Sequence, residues 1–523
     1  MTAAMRRAAP PVTGLTYSAA AVATLLAGLA LARVSTPAFL GFGAAFVLLL
    51  GYGAHRWPRA ILLVIALTPL VDAYLVRPLL PVELHLWSRV LSEALLGVAV
   101  LVVGFTAWRN GTLVPALRHR ITPILIVFLA VAAISTLVNA VPLHVAALGV
   151  TLTVDAVALF YLARAVPFSD RFAALCVGAF VAAMLGAGVV AILQIVLGPP
   201  VVGLPFRVGA LGESVRVGSV FVDQGVLGGA AGVAAAFPLF AVFRLPNRPD
   251  RYVAMAVALV LLIAVVLTFS RGSWVGVAAG IGVVALLLDR RAFLLMLVLG
   301  LLAVGAVQFM PRNLLLPSAT DPASGGPAAP GAAAGGQQAP TPAISRSPSA
   351  TPPPEPDIAE STVGKVVRVF TGGDARARFV FNAVPIVADH PVVGVGPGRY
   401  GGAAADIFGT PIHARYETDE ILDRVRARTV DNFWLHTLVE FGIVGFVAYV
   451  ALFAVLAVSL FRAARHADGA RFVFFAGTLA SLAFLVVHSL TGMLLEGNAV
   501  SFALWLFLGI GSTLEVPARS ETV

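Results

Sequence analysis

The sequence predicts an all-α polytopic membrane protein of about 14 transmembrane helices (12–14), with both termini cytoplasmic and one long extracytoplasmic loop. Three observations predict it. Apolar runs of membrane-spanning length recur along the chain, charge is scarce, and arginines concentrate in every second connection. Of 523 residues, 59% are hydrophobic and 12% charged, with a mean hydropathy of +0.94; a soluble domain carries roughly 25% charged residues. Strands are set aside because an isolated strand cannot satisfy its backbone in lipid. The net charge of +9 and pI near 10.4 would suit a nucleic-acid partner, but the basic residues sit in short loops between spans, where they set topology, so nucleic acid is excluded as a partner. The single cysteine, Cys176, lies within an apolar run and rules out an intramolecular disulfide or a cysteine-rich metal site.

Taken in order, the expected spans are 17–34, 38–54, 59–76, 87–107, 121–140, 144–163, 172–198, 222–243, 252–270, 273–289, 292–310, 432–461, 472–491 and 498–514. Arg6 and Arg7 precede the first run without a clear cleavage site after it, so that run reads as a retained anchor. With the N-terminus inside, the inner connections hold Arg56/Arg59, Arg109/Arg118/Arg120, Arg164/Arg171, Arg244/Arg248/Arg251, Arg290/Arg291 and Arg462/Arg465/Arg471. The short outer ones hold Arg33, Arg77, Arg89, Arg207, Arg216 and Arg271. The predicted organisation is a tail at 1–15, a membrane region of about 11 helices at 16–310, an outer loop at 311–431, three last helices at 432–514 and a tail at 515–523. Within the loop, 316–358 is rich in Pro, Ala, Gly, Ser and Thr and poor in large apolar residues, which predicts a disordered tether. From 361 to 431 the composition is that of an ordered segment. There Phe379, Ala383, Ile386 and Val387 share a face of a helix over 374–389 that stops at His390-Pro391, and a turn follows at Gly394, Gly396 and Gly398.

Four clusters at outer ends carry the candidate chemistry. The first, Arg216 to Gly225, can clamp a phosphate through the fixed guanidinium fork; the plainer reading is a snorkelling arginine with Asp223 as a helix cap. The second, Thr268-Phe-Ser270-Arg271-Gly-Ser-Trp274, breaks two spans with an arginine where topology disfavours one, at a cost near lipid of up to ~2.5–3.5 kcal/mol. The third puts Arg376 and Arg378 on the outer helix ahead of PVVGVGPGRY, whose Gly-rich turn can present N–H groups to an anion. The fourth, Thr429-Val-Asp431-Asn432-Phe-Trp-Leu-His436, offers Asp431 as a general base or as a plain helix cap. His436 lies about 140° around the helix from Asp431, so the two need not face one ligand. Asp72, Glu93, Asp155, His488 and Glu496 are further ionisable groups in or near spans.

In this order, RVGSVFVDQGVLG, TFSRGSW, the Arg-bearing helix running into ADHPVVGVGPGRY, and DNFWLHTLVEFGIVG resemble the O-antigen ligase and O-antigen polymerase-like integral membrane proteins. The resemblance covers roughly 210–460. It implies a GT-C-like helical bundle and a metal- and cofactor-free transfer of a glycan from undecaprenyl diphosphate to a hydroxyl of an acceptor glycan, lipid or cell-wall component at the outer face of the bacterial cytoplasmic membrane. By that likeness Arg216 and Arg271 hold the diphosphate with Arg376 or Arg378 in support, the spacing leaving either open, and Ser270, Gly394, Gly396, Asn432 and His436 support the site. Where ligases of the family carry His-Asn this chain reads Asp431-Asn432, which makes Asp431 the candidate base; Gln224 stands where the family often has Asn. Other classes compatible with so many spans are a transporter or flippase of a glycolipid or hydrophobic substrate, and a non-catalytic scaffold for envelope assembly. The absence of paired inverted halves argues against transport.

Overall fold

A computed structural model describes residues 51–72, 85–197, 207–208, 215–216, 218–221, 224–288, 375–416, 430–496 and 498–515. The expected spans at 17–34 and 292–310, most of 38–54, the tether at 316–358, both tails and the side chains of Arg216, Arg376 and Arg378 lie outside the described residues.

The described chain is helical apart from one two-residue ribbon. Its helices are α1 (Pro58–Val71), α2 (His85–Arg109), α3 (Leu113–Leu117), α4 (Ile121–Val138), α5 (Leu143–Val154), α6 (Val157–Ala165), α7 (Asp170–Leu197), α8 (Gln224–Arg244), α9 (Arg248–Leu267), α10 (Arg271–Leu287), α11 (Ala375–Asp389), α12 (Ala403–Phe408), α13 (Pro411–Arg415), α14 (Phe433–His466), α15 (Gly469–His488) and α16 (Asn498–Leu514). Strands β1 (Arg207–Val208) and β2 (Val215–Arg216) pair antiparallel, with Arg207 opposite Arg216. Six helices (α4, α7, α8, α9, α14 and α15) are long and apolar enough to cross a membrane, and the pair α5–α6 makes a seventh if it counts as one span. Eleven of the fourteen expected runs fall on described helices, but not all as simple spans. The run 144–163 is bent by 57° between α5 and α6, with Asp155 at the break rather than inside a straight span. The Tyr449 hydroxyl donates to Thr153 O there at 2.9 Å, occupying a carbonyl beside the break.

Helix α8 is the centre of the bundle, buried continuously from Leu227 to Pro238. Its sequence, GVLGGAAGVAAAFP, explains the position: glycine and alanine let neighbours approach to backbone distance, as membrane helix packing requires. Phe484 of α15 lies in the space a side chain at Gly232 would take, and Leu494 in that of Gly229. Larger residues fill the gaps between the other helices. Phe160, Phe453 and Trp505 pack edge to face or tilted across α6, α14 and α16, with ring centroids 5.7–6.2 Å apart.

The bundle has two chemically distinct ends. One gathers Arg164, Arg171, Arg244, Arg248, Arg251 and Arg471 at the starts of α7, α9 and α15 and the ends of α6 and α8. Arg471 Nε there meets Asp170 Oδ1 at 2.9 Å and Arg244 lies over the Phe472 ring at 4.2 Å. The opposite end carries the starts of α8, α10 and α14 and the finish of α4, α9 and α15. The Arg271 cluster, the glycine turn and the Asp431–His436 cluster lie there.

Candidate functional site

The site end is built around a broken helix. Within α14, Gly442 adopts φ 64°, ψ −174°, which interrupts the helix one turn after Val439. A break in an apolar helix leaves amides and carbonyls that must find partners. The segment 391–396 supplies them. Val395 N donates to Val439 O at 3.0 Å and Gly396 N to Glu440 O at 3.1 Å, while Ile443 N donates to Pro391 O at 2.9 Å and Val444 N to Val392 O at 3.3 Å. The two backbones cross so closely that only glycine fits. A Cβ on Gly394, at φ 71°, would stand 2.5 Å from the Glu440 carbonyl, and one on Gly442 would strike the Val392 backbone. From α4, Asn139 Nδ2 donates to Gly394 O at 2.9 Å.

Beyond the crossing, buried acids hold the glycine turn. The Glu440 carboxylate accepts from Gly398 N through Oε2 and from Tyr400 N through Oε1, both at 2.6 Å. Its neighbour one helical turn earlier, His436, is buried with Nδ1 on Tyr400 O and 3.6 Å from Glu440 Oε1. Glu496 Oε1 accepts from Ala403 N at 2.8 Å, opening α12. The His436 ring and the Glu496 carboxylate both lie against Gly402, where a Cβ would come within 2.6 and 3.0 Å of them. Helix α11 closes the outside: Phe379, Ala383 and Ile386 are buried against Val395, Tyr400, Val430 and Val439, with Val387 packed on them, as its apolar face predicts. Burial raises the Tyr400 phenol above its ordinary range, so it remains a neutral donor, 3.2 Å from Phe379 O.

The arginine cluster joins this framework through the turn after α15. Phe269 takes an uncommon positive φ of 49° between α9 and α10, and Ser270 Oγ accepts from Ser273 N at 3.4 Å as α10 begins. Arg271 on the first turn is exposed. Beneath it Gly272 has no room for a side chain, because a Cβ would collide with Thr491 Oγ1. Ser273 Oγ meets His488 Nε2 at 2.9 Å. The same 488–492 turn receives the start of α14: Phe433 N donates to Ser489 O at 2.9 Å and to Gly492 O at 3.2 Å. Gly228 of α8 packs on Ser273 and Thr268, so the segment following Arg216 reaches the same corner.

Among the described residues, the Arg271 corner, the glycine turn and the start of α14 lie at one end of the bundle, and their members have different surroundings. Asp431 is exposed at the rim, immediately before α14. The capping role falls to Asn432 instead, whose Oδ1 accepts from Leu435 N at 3.0 Å. His436 turns inward, away from the rim, consistent with its angular offset from Asp431. Gly394 and Gly396 serve the backbone crossing, and their amides bond His390 O and Glu440 O respectively. Arg376 and Arg378 stand on the first turn of α11, and Arg216 in β2. Arg399, in the glycine turn, reaches Ala140 O at 3.2 Å; burial draws its guanidinium below the ordinary value, and it stays a cation. Sequence reasoning missed Glu440. The signal was a carboxylate four residues after a histidine and two before a glycine, inside an apolar span. Among the described residues no group of three His, Cys, Asp or Glu side chains gathers as a metal site.

Residues 255–450 match the family model described as O-antigen ligase. That stretch runs from α9 through Arg271, α11 and the glycine turn to just beyond the break in α14. A search of curated proteins returns no match. The matched segment contains the backbone crossing and the Arg271 corner together, so this part of a chain with several membrane-length apolar helices is similar to the O-antigen ligase family.

Proposed function

We propose that this protein transfers a glycan from undecaprenyl diphosphate to an acceptor hydroxyl at the extracytoplasmic face of the bacterial cytoplasmic membrane, as a ligase or a polymerase. In that reaction the bond between the sugar's anomeric carbon and the diphosphate oxygen breaks, and the acceptor oxygen takes its place. The acceptor proton passes to a base and the lipid diphosphate leaves. Negative charge grows on the leaving diphosphate, so fixed guanidinium groups are the required partners. Arg271 is the first of these, with Arg216 and Arg376 or Arg378 beside it. Asp431 is the base, placed to receive the proton at the rim.

One observation carries the reading. An exposed arginine and an exposed carboxylate, far apart in the chain, flank the same 488–492 turn: Arg271 through Gly272 on Thr491, and Asp431 through Phe433 on Ser489 and Gly492. A cation for the leaving group and a base for the acceptor are the minimum this transfer needs. Replacing Arg271 with Ala is expected to reduce transfer by about 100–1,000-fold, the usual cost of one stabilising donor, with membrane insertion unchanged. The measurement is the amount of transferred and untransferred lipid-linked glycan in the envelope. Undiminished transfer in Arg271→Ala would remove the diphosphate clamp. In a strain lacking the protein, accumulated lipid-linked polymer indicates a ligase and loss of long chains a polymerase.

A further inference from the structure

At the arginine-bearing end of the bundle, far from the glycine turn, α7, α8, α9 and α15 leave a cleft of about 300 Å³. This sits at the lower end of the ~300–1,000 Å³ typical of ligand pockets. Its origin is legible in the residues. Helix α7 presents Ala173, Ala174, Val177 and Gly178 to it, small side chains spaced along one face. Helix α8 contributes Pro238, which carries no amide hydrogen to donate along the helix. The walls are apolar throughout, and Phe237 and Phe474 form the deeper part.

The mouth is charged. Asp170 and Arg471 line it directly, and Arg171, Arg244, Arg248 and Arg251 are exposed on the helix ends around it. Arg244 is stacked on Phe472 and Arg251 donates to Leu245 O, so both are held near the opening. The acids at this end are Asp170, Asp250, Asp468 and Glu515; Asp170 is matched by Arg471, Asp250 accepts from Asn247 Nδ2 at 3.1 Å, and Glu515 accepts from Ser459 Oγ at 2.9 Å near Arg164. With Asp170 on Arg471 and Glu515 beside Arg164, the four arginines Arg171, Arg244, Arg248 and Arg251 face Asp250 and Asp468, which leaves a positive rim over an apolar cleft.

We propose that this cleft is a binding site for one anionic glycerophospholipid, with an acyl chain between α7 and α8 and the phosphate headgroup at Arg171, Arg248 and Arg471. The charge of the rim selects the occupant, because an apolar partner helix would leave the arginines unanswered. A single hydrocarbon chain does fit, and the rim supplies charge complementary to a phosphodiester. The site is independent of the transfer chemistry and does not rest on it.

The test uses the full chain, purified in neutral detergent and stripped of lipid. Phosphatidylglycerol and phosphatidylcholine of matched acyl chains are titrated in, with binding read by native mass spectrometry and by thermal melting. Phosphatidylglycerol is expected to bind saturably and at least tenfold more tightly. Arg171→Gln and Arg248→Gln are each expected to weaken it by about fivefold. A Cβ at Gly178 would meet nothing within 4 Å and the residue lines the cleft, so Gly178→Phe starts into open space and occupies the cleft. It is expected to abolish saturable binding while the lipid-free protein melts as before. Equal affinity for the two lipids, or retained phosphatidylglycerol binding in Gly178→Phe, would overturn the proposal. Complete displacement by undecaprenyl phosphate at equal concentration would likewise overturn the assignment to a glycerophospholipid.

Discussion

Glu440 is the residue on which the shape of the glycine turn most directly depends. It is fully buried, and its two oxygens satisfy the amides of Gly398 and Tyr400 at 2.6 Å each. Glu440→Ala removes both acceptors and leaves two buried N–H groups without a partner. Each such group costs about 1–3 kcal/mol, so the turn loses roughly 2–6 kcal/mol relative to its open forms. The four backbone bonds between 391–396 and 439–444 do not involve the side chain. The damage is therefore confined to about 397–403, and the bundle is expected to insert and fold. Glu440→Gln keeps one acceptor oxygen but sets its NH2 against an amide donor, and should fall between the two. Hydrogen exchange of peptides covering 397–403 is expected to accelerate strongly in the alanine variant and less in the glutamine one. Displacements near 1 Å in a site of this kind cost about 100-fold in rate, so glycan transfer should fall at least tenfold in Glu440→Ala. Wild-type protection of 397–403 together with wild-type transfer in that variant would refute the assignment of Glu440 as the anchor of the turn.

The other predictions concern the break in α14, the rim and the opposite end. Gly442→Ala forces a side chain into the Val392 backbone at a positive φ, a strain of at least ~1–2 kcal/mol to which the clash adds, and should lower the melting temperature and abolish transfer; a variant with normal melting and transfer would show that the crossing can relax. Asp431→Asn removes proton acceptance but leaves the Asn432 cap intact, so transfer should fall about 100-fold or more with no change in melting; unchanged turnover would strip Asp431 of the base role. At the arginine end, burial first, then the charges of Arg164 and Arg120, lower the pKa of His119 to about 4. The unfolded chain takes up this proton near pH 6.5 and the folded chain only near pH 4. Stability should thus fall as pH drops from about 6.5 to about 4, by on the order of 1–2 kcal/mol once solvent screening of the partly exposed ring is allowed for. His119→Gln is expected to flatten the melting temperature across that range, and an unaltered pH profile would exclude the histidine as its source.

Much of the architecture was legible because lipid imposes so strong a rule: apolar runs of spanning length must be helices. The face of α11 could be read from Phe379, Ala383, Ile386 and Val387 for the same reason that any half-buried helix can, by its period. The convergence of Arg271, the glycine turn and Asp431 was legible only through the order of their motifs, since spacing along a chain does not say which helix ends are neighbours. Two features of α14 were not legible. Hydropathy runs smoothly through Phe441-Gly442-Ile443, so 432–461 read as one uninterrupted span, although Gly442 breaks it. Glu440 passed unnoticed because a lone carboxylate in a span signals nothing until its partners are known, and those partners are backbone amides some forty residues upstream. The cap was misplaced by one residue for a related reason: Asp431 and Asn432 are both good capping residues, and only the geometry decides that Asn432 takes the role.

That division of labour at the start of α14 has a consequence for the chemistry. The cap and the candidate base are different residues. Asn432 accepts from Leu435 N, and Asp431 is exposed at the rim. The groups that fix the framework (Glu440, His436 and Glu496) are buried behind it, each bonded to the backbone of residues 398–403. Buried acids that shape a loop and an exposed acid that can meet a substrate are thus separate residues, and substitutions should separate them as well. Loss at Glu440 should appear in both hydrogen exchange and transfer, and loss at Asp431 in transfer alone. Parallel loss of protection and transfer in both variants would mean that one network serves both tasks, and the proposed partition between framework and chemistry would fail.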